Sequence, residues 1–312
     1  MSRSSLAFAM RLVVFVVVAS ALGGCASSRP NGANPSLGAQ PGRDSQMIRV
    51  PSKDGTLIAV ECAGVGPTLI MVHGGIGDRT RWTPMLPLLS PRFTACAMDR
   101  RGHGASGDSP GHTLQKEAED VAAVVNSRPG TVFVLGHSYG GVCALEAAFL
   151  TERISKLVLY EPPVQDGIDL AVADRIERMI RDGEREQAVV TFLREVVQLS
   201  PSEVAGMRSR PSWHGFVATV DSHPRQMRAL AAYRFDAKRM SSVRMPTLLL
   251  TGSDTASPHL KQAISSLQAS LPNPTLLVLE GQQHNAMDSA RQKLAEALTN
   301  FLLGTPDGQR GK

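Results

Sequence analysis

Short, nearly unbroken apolar runs recur along this chain: Leu69–Val72, Phe93–Ala97, Thr131–Leu135, Lys156–Tyr160, Thr247–Leu250 and Thr275–Leu279. Runs of this length predict strands buried in a sheet, because both pleat faces are apolar. The intervening segments switch to helical spacing. Val172, Ile176, Met179 and Ile180 fall on one helix face, as do Val189, Leu193 and Val196. Gly183 is placed to end the first of these helices, and Ser200-Pro201-Ser202-Glu203 reads as a capping box with proline at the first helical position. Pro224 is placed to open a further helix. Strands alternating with helices predict an α/β architecture, interrupted between about residues 164 and 244 by a stretch with helical signals only.

The loops after these strands carry chemistry. Gly136-His137-Ser138-Tyr139-Gly140-Gly141 lies between an apolar strand and the helix-like Val142–Ala148. In that context a serine sits on a sharp turn with its hydroxyl pushed into a cleft. A hydroxyl is a weak nucleophile at neutral pH, so it needs a base and the base needs an orienting acid. Asp254 follows the strand Thr247–Leu250, and His284 follows Thr275–Leu279. The order serine, acid, histidine differs from those of chymotrypsin-like and subtilisin-like enzymes. His73-Gly74-Gly75-Ile76-Gly77-Asp78 is a glycine-rich post-strand loop whose backbone N–H at Gly75 or Ile76 could face a developing oxyanion beside the N–H of Tyr139. His73 and His137 flank glycines and read as structural hydrogen-bonders.

These motifs, with Asp99-x-Arg101-Gly102-x-Gly104-x-Ser106, resemble the α/β-hydrolase fold superfamily in its lidded, esterase-like branch, over about residues 47–303. The resemblance implies a mostly parallel eight-stranded sheet flanked by helices, with an all-helical lid inserted after the sixth strand. It implies that Asp99 and Arg101 hold the turn after the fourth strand. The acid has two candidates, since some relatives carry it after the sixth strand, where Glu161 stands. Gly252-Ser253-Asp254 with the later Pro258 fits the usual loop, so the expected triad is Ser138, Asp254 and His284, with Tyr139 and Gly75 as oxyanion donors. The lid aromatics and methionines Met207, Trp213, Phe216, Met227, Tyr233 and Phe235 are candidate pocket walls. Serine rather than aspartate at the elbow argues against dehalogenase or epoxide hydrolase chemistry. Ester hydrolysis of a small-molecule acyl substrate is the expected activity. C–C bond, lactone or amide hydrolysis and perhydrolysis use the same residues, and a catalytically silent binding protein is the alternative of another class.

Composition narrows the reading further. Aromatics make up 4% and the formal net charge is +5, with no basic cluster interleaved with aromatics, so nucleic-acid binding has little support. No Cys/His spacing suggests a metal site, and no cofactor is expected. Arg3 and Arg11 flank Leu12–Ala19, an apolar core too short for a spanning helix of about 20 residues and similar to a secretory signal. It ends in Leu22-Gly23-Gly24-Cys25, which resembles a bacterial lipobox. Residues 1–24 are therefore expected to be a signal peptide and Cys25 a lipidated residue. A Ser-, Pro- and Gly-rich tether to residue 46 would hold the protein at a membrane of the cell envelope, the alternative being a soluble exported protein. The tail 304–312 is polar. Cys62, Cys96 and Cys143 remain. The family's strand order makes a Cys62–Cys96 cross-strand disulfide conceivable, but the expectation is buried free thiols.

Overall fold

The structure, a computed structural model, describes residues 45–164, 168–210 and 212–304. The proposed leader, Cys25, the tether up to residue 44 and the tail from 305 lie outside the described residues. Among the described residues no helix is long and apolar enough to cross a membrane.

Eight strands form one sheet: β1 (Gln46–Pro51), β2 (Leu57–Ala63), β3 (Thr68–Val72), β4 (Thr94–Met98), β5 (Val132–His137), β6 (Ile154–Tyr160), β7 (Thr247–Gly252) and β8 (Thr275–Leu279). Their spatial order is β1-β2-β4-β3-β5-β6-β7-β8. β1 and β2 are antiparallel to each other and β2 to β4, and every later pairing is parallel. This is the expected α/β-hydrolase architecture, with its first strand starting one residue before the expected boundary. Alternation along the central strands divides the core. Ile70, Val72, Val134 and Leu159 face one side, against the helices Leu114–Asn126, Tyr139–Ala147 and Pro258–Ser270. Leu69, Met71, Leu135 and Val158 face the other, against Trp82, Met85 and the helix Arg291–Leu303. A period of two explains why the parallel strands read as continuous apolar runs.

Two expectations are corrected here. β8 is an edge strand, not a buried one: Leu276, Leu277 and Val278 are 36%, 36% and 39% exposed, because β8 pairs only with β7. Cys62 and Cys96 are not free thiols but a disulfide, formed because antiparallel β2 and β4 place the two residues directly opposite each other. Cys143 is free and buried.

The lid follows β6 as expected. Its helices include Leu170–Arg181, Arg185–Thr191, Pro201–Arg208, Trp213–Ala218 and His223–Ala232. The capping box at Ser200 and Glu203 is formed in both directions, and Gly183 takes a positive φ just past the first helix. The lid has its own core, in which Val172, Ile176, Val189, Leu193, Trp213 and Phe216 are buried.

Candidate active site

Ser138 joins β5 to the helix Tyr139–Ala147 at φ 53° and ψ −129°, a backbone conformation that costs an ordinary residue energy and persists only where its surroundings enforce it. The surroundings are close. A Cβ at Gly140 would stand 2.2 Å from the carbonyl oxygen of His73, and one at Gly136 would stand 2.6 Å from that of Gly140. Glycine at both places lets strand and helix pass at this distance. Ser138 N–H donates to the Tyr160 carbonyl at 2.9 Å, which ties the elbow to β6.

The histidine is held from three sides. His284 Nδ1 is 2.6 Å from Glu161 Oε2. A carboxylate only accepts, so Nδ1 carries the proton and Nε2 keeps its lone pair. The His284 carbonyl accepts from His137 Nε2 at 2.8 Å. Buried Tyr160 donates its hydroxyl proton to the Gln283 carbonyl and accepts from Ala286 N–H at 3.1 Å, which fixes the loop on both sides of His284.

Glu161, fully buried at the end of β6, takes the place expected of Asp254. Its backbone is at φ 45°, the same class of strain as Ser138. Its Oε1 accepts from Gly252 N–H at 2.9 Å, Thr251 Oγ1 at 2.8 Å and Thr255 Oγ1 at 2.5 Å. Burial pushes this carboxyl up, but the hydrogen bonds from His284, Thr255 and Gly252 outweigh it and hold the group below its ordinary value. Asp254 is exposed, and its carboxylate accepts from Ser253 Oγ at 2.8 Å rather than from His284. The loop after β7 therefore contributes hydrogen-bond donors to Glu161, and the structure brings Glu161 rather than Asp254 to His284.

Ser138, His284, Gly75 and Tyr139 line one cavity of about 200 Å³ beneath the lid. Tyr139 is the first residue of its helix, where N–H groups lack a partner within the helix. Of the lid residues expected as walls, Met207, Phe216 and Met227 line the cavity. Trp213 instead packs in the lid core and donates to Glu186, Tyr233 bonds to Glu146, and Phe235 packs against the main core. Val172, Phe192, Leu193, Val196 and Leu199 complete much of the apolar lining.

His73 and His137 make the structural hydrogen bonds expected of them. His73 donates from Nδ1 to the Gly74 carbonyl at 2.9 Å and accepts the Arg100 backbone N–H at Nε2. Asp99 and Arg101 hold the turn after β4. Asp99 accepts from the N–H groups of Arg79 and Ala105, both at 2.8 Å, and Arg101 makes paired contacts to Asp120 at 2.6 and 2.7 Å. No group of residues able to hold a metal ion occurs among the described residues.

Residues 69–297 match the Alpha/beta hydrolase family, and the chain belongs to it. It is 26% identical over 255 residues to the 2-(acetamidomethylene)succinate hydrolase of Mesorhizobium japonicum, covering 77% of this chain and 89% of that protein. A solved alpha/beta hydrolase from Sphaerobacter thermophilus is 33% identical with a TM-score of 0.73, over 81% of this chain and 99% of that one. An esterase from Exiguobacterium antarcticum shares the fold, with a TM-score of 0.67 at 21% identity, over 82% of this chain and 99% of its own. The relatives support a hydrolase.

Proposed function

We propose that the protein is a serine hydrolase cleaving carboxylic esters with short, uncharged acyl chains, using Ser138, His284 and Glu161. The observation that carries this reading is the His284–Glu161 hydrogen bond at the cavity that holds Ser138. His284 Nε2 takes the serine proton as Oγ adds to the acyl carbon. The carbonyl π pair moves to oxygen, where the N–H groups of Gly75 and Tyr139 receive it; one such donor is worth roughly 3 kcal/mol. Glu161 stabilises the imidazolium. His284 then protonates the departing alkoxide, the C–O bond breaks, and a water activated by the same base releases the acyl group.

Size and charge of the cavity support the substrate class. Its volume of about 200 Å³ lies below the roughly 300–1,000 Å³ of pockets for drug-sized ligands, which suits one short ester arm. Arg81, the arginine among its described lining residues, is engaged by Asp288 at 3.0 Å and Asn285 at 3.2 Å. Asp169 also lines it, and Glu195, which lines it too, is paired with Arg175, so the arginine and the acidic groups of the lining offer a substrate carboxylate no unengaged cation. Across p-nitrophenyl esters, kcat/KM is expected to peak at chains of about four to six carbons and to fall at least about tenfold by ten carbons. Hemisuccinate esters should be poorer than butyrates. Ser138→Ala should lose on the order of 10⁶ in turnover. Hydrolysis that survives Ser138→Ala would end the serine-hydrolase reading, and a long-chain optimum would end the short-chain one.

We also propose an envelope location through a lipid on Cys25, supported by the sequence Leu22-Gly23-Gly24-Cys25 alone. Cys25→Ser is expected to move the protein from the membrane fraction to the soluble fraction of lysed bacterial cells; unchanged partition would count against the anchor.

A further inference from the structure

Taking the hydrolytic reading as given, we propose that Arg100 is a positioning residue for the oxyanion site. It sets the direction and strength of the Gly75 amide and ties that amide to the lid through Gln226.

Arg100 and Glu117 are each 1% exposed. Arg100 Nη1 meets both Glu117 carboxylate oxygens, at 3.1 and 2.8 Å. Its Nη2 donates to the Gly74 carbonyl at 2.9 Å, and His73 Nδ1 donates to the same oxygen at 2.9 Å. Gly74 C=O and Gly75 N–H belong to one peptide unit, and in a planar trans peptide they point in opposite directions. Two donors drawing the carbonyl toward the core therefore turn the Gly75 N–H toward the cavity that Gly75 shares with Ser138. A cation on the carbonyl oxygen also polarises the amide, because hydrogen bonds in series strengthen one another. The guanidinium lies 4.7 Å from the centre of the Tyr139 ring, so the same positive charge underlies the residue that offers the second donor.

The fourth arm reaches the lid. Arg100 Nη2 donates to Gln226 Oε1 at 2.9 Å, and Gln226 Nε2 donates to Ser222 Oγ at 2.7 Å and to His103 Nε2 at 3.0 Å. Gln226 belongs to the lid helix His223–Ala232 and lines the cavity itself. Its oxygen would lie 3.4 Å from a Cβ placed on Gly75. Seating of this helix and alignment of the Gly75 amide thus share one guanidinium.

The test compares Arg100→Met, Arg100→Lys and the double variant Arg100→Met/Glu117→Met. The double variant leaves no buried charge without a partner, a replacement that folds commonly tolerate. Turnover of a p-nitrophenyl butyrate is measured beside affinity for two probes. An aliphatic trifluoromethyl ketone accepts Ser138 Oγ at its carbonyl carbon and carries the resulting oxyanion; the matching aliphatic alcohol carries none. Loss of amide alignment is expected to lower kcat and ketone affinity together by roughly 10- to 100-fold, less than outright removal of a donor. KM and alcohol affinity should stay within about twofold, because uniform binding is untouched. Gln226→Met should shift the ketone-to-alcohol ratio in the same direction and by less. A merely structural arginine would lower the melting temperature and leave that ratio alone. A folded Arg100→Met single or double variant with wild-type kcat and ratio overturns the proposal, whereas Arg100→Lys, which keeps a cationic donor, should lose less than Arg100→Met. Ser138→Ala run alongside separates the two failures: if it still hydrolyses the ester, the hydrolytic reading falls, and if it is inactive while Arg100 variants behave as wild type, only the role of Arg100 falls.

Discussion

Glu161→Gln is expected to lower kcat by about 10⁴-fold while leaving the fold in place, whereas Asp254→Asn should leave kcat close to the wild-type value. The size of the first effect follows from which oxygen is committed elsewhere. Oε1 of Glu161 accepts from Thr251, Gly252 and Thr255. In the glutamine variant that atom must remain the carbonyl oxygen, since an NH₂ there would face three donors. The amide nitrogen is then forced into the Oε2 position, 2.6 Å from His284 Nδ1. Nδ1 must accept instead of donate, the ring proton moves to Nε2, and the lone pair that should take the serine proton is gone. Asp254 has no such link; its carboxylate bonds to Ser253 Oγ and faces solvent. Steady-state kinetics on a butyrate ester for both variants decides the matter. A large loss in Asp254→Asn with near-normal Glu161→Gln would return the acid to the loop after β7.

Much of this site is written in local sequence. The elbow serine announces itself because its constraints are local: glycines at 136 and 140 are needed within one turn of Ser138. His284 is legible because it stands just past the last strand. The acid is different. Glu161 and Asp254 both follow a strand, and the choice between them depends on long-range facts. The backbone at Glu161 must turn at φ 45° for its longer side chain to reach His284, and three donors from residues 251–255 must converge on it. Sequence shows Thr251 and Thr255 beside Asp254 but not that they serve another residue. The same limit applies to β8, whose apolar run Leu276–Val278 looks like a buried strand although it closes the sheet. It also applies to the disulfide, which needs the exact Cys62–Cys96 register, and to the lid, where Phe216 reaches the cavity and Trp213 at helical spacing beside it does not. Arg100 sits in a motif whose neighbours Asp99 and Arg101 hold the turn, and only its contacts with Gly74 and Gln226 set it apart.

Stability is expected to be level from pH 8 to 7 and to fall steeply between pH 6.5 and 5. Four histidines are responsible: His73, His103, His137 and His223 are all buried. Burial is the first cause in each and holds the ring neutral, with positive charge at Arg100 adding to it for His73, His103 and His223, and His284 and Arg81 for His137. His223, against the Phe192 ring, is pushed down to about 3. Hydrogen bonding agrees for two of them: His73 Nε2 accepts the Arg100 N–H, and His103 Nε2 lies 2.8 Å from Ser222 Oγ, so a proton on either nitrogen would displace an existing donor. The sign is fixed by comparing states. Above about pH 6.5 each ring is neutral folded or unfolded and contributes nothing. Below it the unfolded chain binds protons that the folded chain refuses, so each histidine costs about 1.4 kcal/mol per pH unit. Four together approach about 5 kcal/mol per unit, against a total stability of roughly 5–15 kcal/mol. Asp99 and Asp120, whose carboxyls burial raises, act in the opposite sense as pH falls, and are two groups against four. Glu161, held low, adds to the loss once the unfolded carboxyl begins to protonate. Urea titrations at half-unit pH steps should therefore show the midpoint dropping sharply below pH 6.5 with little change above it. Replacing His223 by an apolar residue of similar volume should flatten the slope by about one proton's worth. A midpoint constant from pH 8 to 5 would mean that these rings take up protons in the folded protein, and the buried network around Arg100 and His137 would have to open to admit them.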